Sequence, residues 1–233
     1  MKKTVLIATL IVVSFAFIHA DVYIKQQMKT GAFMGQPAKD TIQETWMGKN
    51  RMATISPDMN MILNMGENKV YLIMHKTKTY VESELPLDMT KFVPEQMAGM
   101  MKQMMDGMTL AISPNGQTKQ VGQWNTKGYD AKITMMGMEM KMTFWATTAV
   151  PFDWKSYATL YAEVYKSQFR MGEKFIEEYK KVEGFPVLTE MSMMGVDVKT
   201  TVVEISEKTP GADVYSVPAG YTKTDKISMS GGM

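Results

Sequence analysis

The sequence predicts an α+β domain made of an antiparallel β-sheet and two helices. Apolar and polar residues alternate with a period of two over most of the chain after residue 20, which is the pattern of half-buried strands. Two segments, 94–108 and 153–181, instead repeat their apolar residues every three to four positions, as amphipathic helices do. The chain has no cysteine, so packing alone must hold this fold together.

The first 20 residues predict a signal peptide. Lys2 and Lys3 give a basic start, residues 4–18 form an apolar run, and the small Ala20 precedes the expected cleavage point. The apolar run is short for a membrane span, which favours cleavage over a retained anchor. We therefore expect an exported protein, located in the periplasm or secreted.

The charge balance argues against a nucleic-acid partner. Removing residues 1–20 takes away two of the 26 basic residues and none of the 24 acidic ones, so 24 of each remain. A formally neutral chain lacks the basic surface that nucleic-acid binding requires. The length suits one domain, which we place at residues 21–221 and follow with a flexible tail at residues 222–233.

Residues 21–80 predict an antiparallel meander of about five strands. In the clearest run, Val70, Leu72 and Met74 alternate with Tyr71 and His75. Turn signals separate the runs at residues 35–37, 48–50, 56–58 and 66–68.

The next segment predicts a helix with a methionine face. Methionines fall at 97, 100, 101, 104, 105 and 108, which is the spacing of one side of an α-helix. Pro94 and Glu95 suit the first turn, and Gly107 suits the end. A helix this short is marginal in water by itself, so something must cover its thioether face.

Strands are predicted again after Gly107. We expect them at residues 109–112, at 117–121 after a turn at 114–116, and within 129–147. In the last run Met138, Met140, Met142 and Phe144 share one face.

A long second helix is predicted after these strands. Asp153 suits its N-cap, and Gly184 followed by Pro186 suits its end. We expect its aromatic and apolar face to pack onto the sheet; that face carries Trp154, Tyr157, Tyr161, Val164, Tyr165, Phe175, Ile176 and Tyr179.

Residues 135–143 on one side of the second helix and 193–201 on the other share a pattern that predicts two similar hairpins with a glycine at each turn. A last short strand is expected at 214–217.

The residues that usually carry catalysis are scarce. After residue 20 the only histidine is His75, on a predicted strand, and the chain contains no Gly-x-Ser-x-Gly, His-Glu-x-x-His or glycine-rich phosphate loop. We therefore expect a protein that is not an enzyme, with no catalytic residues, no cofactor and no metal ligands of the usual kinds.

The 27 methionines permit three interpretations. They can be ordinary core, they can form an adaptable wall around an apolar ligand, or their thioethers can bind Cu(I) or Ag(I). We favour a ligand cavity between the methionine helix and the sheet. The residues expected to line it are Met97, Met100, Met101, Met104, Met105, Met108, Met138, Met140, Met142 and Phe144.

Several short motifs resemble one group of proteins. They are Asn115-Gly-Gln-Thr-Lys-Gln-Val-Gly, Gly128-Tyr129, Phe144-Trp145-Ala-Thr and Val217-Pro-Ala-Gly-Tyr221, after a Met-Lys-x-Met-Met helix. Their order resembles exported bacterial proteins with a domain of unknown function, a family similar in design to the LolA and LolB lipoprotein carriers. The resemblance implies a LolA-like open half-barrel, in which helices cover the concave face of a strongly curved antiparallel sheet. In the carriers that face receives lipid acyl chains.

These observations lead to one functional prediction. The chain should bind an apolar small molecule or lipid, such as the acyl chain of a lipoprotein, with peripheral contact to the cell envelope. A Cu(I)/Ag(I)-binding protein and an envelope interaction module without a ligand are the alternatives. The sequence does not determine the oligomeric state.

Overall fold

The fold is one large mixed β-sheet with few helices. The computed structural model describes residues 20–32, 35–135, 137–158, 173–193 and 195–227. The strands are β1 Asp21–Thr30, β2 Lys39–Met47, β3 Arg51–Ile55, β4 Met59–Asn64, β5 Lys69–Met74, β6 Thr79–Glu84, β7 Thr109–Val121, β8 Trp124–Met135, β9 Met138–Thr147, β10 Phe185–Met193, β11 Val196–Lys208 and β12 Thr222–Lys223. A 3-10 turn (Met89–Lys91) and helix α1 (Glu95–Asp106) follow β6, and helix α2 (Glu173–Tyr179) precedes β10.

Across the sheet the strand order is β12-β6-β5-β4-β3-β2-β1-β11-β10-β9-β8-β7. Strands β1–β6 form the predicted meander, with six strands rather than about five, and each pairs antiparallel with the next. Strand β1 also pairs with β11, which joins the two halves of the chain into one sheet.

The sheet is not closed into a barrel. Its edge strands are β12 and β7, and within the described part of the chain these two do not pair with each other. Strand β12 has two residues and runs parallel to β6, whereas the other strand pairs are antiparallel. The predicted antiparallel sheet is therefore correct for β1–β11, and β12 makes the sheet mixed.

Strand β5 is buried on both of its faces. Val70 and Leu72 belong to the main core, together with Leu87 and Phe92 from the connection before α1. Ile73 points to the opposite face and belongs to a second cluster. Partly buried residues of the segment after β11 pack against that cluster: Val214, Tyr215, Val217 and Tyr221. The chain thus supplies a layer on each side of this half of the sheet.

Strands β8–β11 form two hairpins, as their similar sequences predict. Their turns contain Gly137 and Gly195, whose φ angles are 77° and 79°. Glycine is the residue that adopts such a conformation without a steric penalty. Strand β9 pairs with β10, so the two hairpins are neighbours in the sheet.

Strand β7 is continuous, and the predicted turn at residues 114–116 is wrong. The pairing with β8 shifts register at this point. The Asn115 side chain stabilises the irregularity, because its Oδ1 accepts a hydrogen bond from the Gln117 N–H at 3.0 Å and its Nδ2 donates to Asp130 at 3.1 Å. The Pro-Asn-Gly signal therefore marks a bulge within one strand.

The segment after β11 also differs from its prediction. Residues 214–217 were expected as a strand, but residues 212–215 form a turn and residues 217–218 have no regular structure. Within the segment expected to be a flexible tail, Thr222–Lys223 form β12, and the Ile227 N–H donates to the Phe92 carbonyl at 2.7 Å. Residues 228–233 lie outside the described residues.

Helix α1 begins and ends where the sequence predicts. It packs against the 3-10 turn that precedes it. Of the helix predicted over 153–181, the structure describes helical residues 154–158 and α2, and residues 159–172 lie outside the described residues. Among the helices that are described, none has the length and apolar character needed to span a membrane.

Candidate functional site

A cavity of about 430 Å³ lies between the sheet and the segments around α2. Strands β1, β2 and β7–β11 form one side, and α2 together with Tyr157 forms the other. Small-molecule sites in proteins usually occupy roughly 300–1,000 Å³. The cavity therefore has the size of a ligand site.

Strand β9 provides the apolar base of this cavity. Met140, Met142 and Phe144 line it, because every second residue of a strand faces the same side. On strand β8, Ile133 lies opposite Met140, and on β7 Leu110 lies opposite Ile133. The alternating pattern of three neighbouring strands thus forms a continuous apolar surface.

Helix α2 packs against this surface with its predicted apolar face. Ile176 is buried and lines the cavity. The Tyr179 ring stands edge-on to the Phe144 ring, with the centroids 6.0 Å apart and the planes at 83°. Edge-to-face aromatic pairs are attractive beyond the area that they bury. Val182, directly after the helix, is buried in the same cluster.

Two aromatic rings, Tyr157 and Phe185, line another part of the boundary, and the Phe152 ring packs against both. Tyr157 lies 5.0 Å from Phe185 and 5.7 Å from Phe152, measured between ring centroids. Asp153 caps the helical turn that carries Tyr157, since its Oδ1 accepts from the Lys155 N–H at 3.1 Å. Hydrogen bonds from the Ser156 hydroxyl and backbone are the main cause that lowers the pKa of Asp153. The predicted N-cap is confirmed.

The opposite part of the cavity is polar. Gln26 of β1 lies in register with Gln43 of β2, and Thr189 of β10 lies in register with Thr200 of β11. All four side chains line the cavity, and we refer to them as the polar wall. The Gln43 Nε2 donates a long hydrogen bond of 3.4 Å to Gln26 Oε1. Within the described part of the chain, no lining residue carries a formal charge.

The structure brings some of the ten predicted cavity residues together and separates others. Met108, Met140, Met142 and Phe144 line the cavity. Met97, Met100, Met101 and Met138 do not, and of these Met100 is 63 % exposed and Met138 is 44 % exposed. The Met104 and Met105 side chains lie outside the part of the molecule that the structure describes. The ligand-binding role of these residues stays a prediction.

The expected position of α1 differs from the observed one. The methionine spacing predicts that α1 lies over the cavity, but its described side chains are outside the lining and α2 packs there instead. The cause lies in the connection before α1, where Leu87 and Phe92 are buried in the main core and hold the start of the helix to the first half of the sheet.

Sequence reasoning missed the polar wall and Met28, although a signal was present. Val22, Ile24 and Met28 share one parity in β1, and Gln26 occupies the same parity between them. A glutamine at an apolar position of an alternating strand indicates either a buried polar contact or a binding surface.

His75 has two hydrogen-bond partners. Its Nδ1 lies 2.8 Å from the Tyr221 hydroxyl, and its Nε2 lies 2.8 Å from Asn60 Oδ1. These contacts hold the segment after β11 against β4 and β5. In the described ranges, no group of three or more His, Cys, Asp or Glu residues is arranged to hold a metal ion.

Comparison with known families gives one match over most of the chain. The model of the domain of unknown function DUF4412 matches residues 25–221. The chain belongs to the DUF4412 family. The match includes all the described residues that line the cavity, from Gln26 to Thr200. No curated protein matches this DUF4412 chain.

Two solved structures are similar at low levels. They are described as "Structure of PNGF-II in C2 space group" and "Structure of PNGF-II in P21 space group". Their sequence identities to this DUF4412 domain are 10 % and 11 %, and their TM-scores are 0.41 and 0.39. Each covers 88 % of this chain, which spans only 31 % of theirs.

Proposed function

We propose that this DUF4412 domain is a non-enzymatic protein that binds an apolar ligand, a lipid or the acyl chain of a lipoprotein. The observation that carries the proposal is the cavity of about 430 Å³ with its apolar base on β7–β9 and α2 packed opposite. Burial of apolar ligand surface there is favourable, at roughly 25 cal/mol per Å².

The side chains around the cavity suit ligands of variable shape. Met28, Met108, Met140 and Met142 line it. Methionine is unbranched and has three rotatable bonds, so a methionine wall can repack around acyl chains that differ in length or unsaturation. An apolar ligand requires no charged partner, in keeping with the uncharged lining of the described residues.

Export and a carrier-like architecture belong to the same proposal. The basic start and apolar run of residues 1–20 support export to the periplasm or beyond. The sequence motifs that resemble the family similar to LolA and LolB support a half-barrel whose helices cover the cavity. Such a protein would meet its lipid or lipoprotein at the surface of the envelope.

A ligand assay with matched variants tests the proposal. Protein purified from its own host is analysed by native mass spectrometry for bound lipid, and uptake of the neutral dye Nile red is measured by fluorescence. Met142→Trp fills the cavity and should reduce dye affinity by about tenfold or more, as expected when ligand volume is displaced. Met138→Trp on the same strand is the control, because Met138 is exposed outside the cavity. Absence of both lipid and dye uptake would refute the proposal.

The same methionines favour a second candidate, a Cu(I) or Ag(I) site. Four thioethers line one cavity, and soft thioether ligands select these ions. Anaerobic Cu(I) titration of the Met140→Leu/Met142→Leu variant separates the two functions. Leucine keeps most of the apolar volume, so a lipid site should survive while a metal site is lost. Failure of both assays would leave an interaction module without a ligand.

A further inference from the structure

The polar wall crosses four neighbouring strands of the sheet. Gln43, Gln26, Thr200 and Thr189 belong to β2, β1, β11 and β10, which are adjacent in that order. The apolar base lies on the next strands, β9, β8 and β7. The polar side chains of the described lining therefore lie on β2, β1, β11 and β10, next to the apolar Met28, Phe185 and Pro186, whereas the described lining residues of β7–β9 are all apolar.

The polar wall has hydrogen-bonding groups for which the described residues supply no side-chain partner. Within the described residues, the only side-chain contact of the Gln26–Gln43 pair is their mutual bond of 3.4 Å. A carboxamide has two N–H donors and one C=O acceptor, so one amide nitrogen and one amide oxygen of the pair stay open whichever way the groups are turned. The Thr189 and Thr200 hydroxyls add groups that can donate or accept.

Two charged residues next to the threonines of the polar wall, Glu190 and Lys199, already have side-chain partners. Glu190 follows Thr189 and accepts hydrogen bonds from Trp145 Nε1 at 2.8 Å and from Lys119 Nζ at 3.3 Å. Lys199 precedes Thr200 and lies 3.5 Å from Glu190. Because successive residues of a strand point to opposite faces, these charges do not line the cavity.

We propose that the ligand is a neutral amphiphile, with one acyl chain on the apolar base and an uncharged ester, amide or hydroxyl head on the polar wall. This inference rests on the proposed function and narrows its ligand class. Among the described residues a fatty carboxylate or an alkyl ammonium would find no countercharge in the lining, and an unpaired charge in an apolar site is strongly disfavoured. A neutral head can instead donate to and accept from the open amide and hydroxyl groups.

The cavity volume sets the length of the chain. A methylene group occupies about the volume of a water molecule in the liquid, roughly 30 Å³. A volume of about 430 Å³ then holds on the order of 14 carbon-sized groups, which the chain and the head share. About 14 carbons is therefore the upper limit for the enclosed chain, and probes with this chain length fill the cavity completely.

Displacement of Nile red by four such probes tests the inference. They are monotetradecanoylglycerol, an uncharged N-tetradecanoyl dipeptide amide, tetradecanoate at pH 8 and tetradecylammonium. The two neutral probes should displace the dye at concentrations at least about tenfold lower than the charged ones. The neutral probe that binds more tightly identifies the source of the natural acyl chain: a free glycerolipid if it is monotetradecanoylglycerol, an acylated polypeptide if it is the dipeptide amide.

Two other outcomes would reject either the neutral-head inference alone or the proposed function as well. If the dye binds but tetradecanoate competes as well as the neutral probes, the neutral-head inference is wrong and the apolar-ligand function stands. If neither the dye nor any probe binds, both the proposed function and the neutral-head inference are wrong.

A variant pair assigns the effect to the polar wall. Gln26→Leu/Gln43→Leu should weaken binding of monotetradecanoylglycerol about tenfold and reduce its advantage over tetradecanoate, and an unchanged circular dichroism spectrum shows that the variant folds. Gln27→Leu is the matched control, because Gln27 is on the same strand but donates to Asp40 at 2.7 Å outside the cavity. Unchanged glycerolipid affinity in the double variant would overturn the role of the two glutamines.

Discussion

The Glu178 carboxylate accepts a hydrogen bond from the backbone N–H of Ile112 at 2.7 Å. This contact ties α2 to β7, an edge strand whose outer N–H groups have no neighbouring strand. The ion pair with Lys181, at 2.5 Å, and then the Ile112 bond lower the pKa of Glu178. Glu178 therefore accepts from an N–H group at the strand edge and, through α2, also fixes one boundary of the cavity.

Loss of this carboxylate should loosen α2. Glu178→Ala removes the only acceptor found for the Ile112 amide among the described residues, so hydrogen exchange of that amide should accelerate by about tenfold or more. Glu177→Ala, one residue earlier and exposed, should leave the exchange rate unchanged. Mass-spectrometric exchange of a peptide that contains Ile112 provides the measurement, and equal rates in both variants would contradict the assignment.

Truncation of the core of the meander should be costly. Ile73 is 0 % exposed and packs in the cluster with Ala53 and Ile62. Ile73→Ala should lower the free energy of unfolding by about 2–5 kcal/mol, because it removes buried methyl groups and leaves a cavity. Ile42→Ala, at a position 39 % exposed, should change it by less than about 1 kcal/mol. Urea unfolding followed by circular dichroism compares the two.

The Glu190 cluster should give part of the stability a defined pH dependence. Burial raises the pKa of Glu190, but the Trp145 hydrogen bond and the Lys119 contacts outweigh it and the net pKa is lowered. The folded-state pKa is thus below the ordinary value of 4.5. The stabilisation is fully present above that ordinary value and is lost as the pH falls through the folded-state pKa.

Glu190→Gln tests this dependence. Its destabilisation should be below about 1 kcal/mol near neutral pH, since the side chain is 37 % exposed and screened by solvent. The difference from the wild type should shrink as the pH falls through the folded-state pKa of Glu190, because below it the carboxyl is protonated in both states. Glu183→Gln, in an exposed pair with Lys127, should show no such trend. A constant difference at all pH values would contradict the role of the charge.

A buried carboxylate at the start of β1 should depend on Tyr215. The Asp21 side chain is 5 % exposed and accepts from the Tyr215 hydroxyl at 2.6 Å, with Arg51 at 3.4 Å. Burial, followed by the bond to Asp21, raises the pKa of Tyr215, so its hydroxyl remains a donor.

Tyr215→Phe should lower the free energy of unfolding by about 1–3 kcal/mol, because a buried acceptor loses a partner while the ring stays in place. Ser216→Ala, at an exposed position next to it, should have little effect. Thermal unfolding measures the stability of both variants. If Tyr215→Phe is as stable as the wild type, Arg51 alone satisfies the Asp21 carboxylate.

The strands could be predicted from the sequence because their signal is local. The alternation in β5 and the glycine turns at Gly137 and Gly195 each depend on a few neighbouring residues. The Pro-Asn-Gly run at 114–116 misled the prediction, since the same residues favour a turn and a bulge. Pairing of β7 with β8 on both sides of residues 115–117 decides between them, and that pairing cannot be read from the local sequence.

The site could be predicted only in part. The parity of β9 correctly groups Met140, Met142 and Phe144 on one face. The spacing of the α1 methionines predicts an apolar face, but it does not say which surface that face meets. Distant contacts decide this point: Leu87 and Phe92 keep the start of α1 at the first half of the sheet, while Tyr179 places α2 on Phe144.

The position of β1 in the strand order has a consequence for folding. The first strand of the meander lies in the middle of the sheet, where Ile24 is opposite Ile205 from the far end of the chain. Until β11 has formed, ten residues of β1 present an unpaired edge that another chain could add to. Because β1 and β11 are far apart in the sequence, their pairing makes folding slow. A chaperone that shields the β1 edge would therefore raise the yield of native protein more than one that binds the completed sheet.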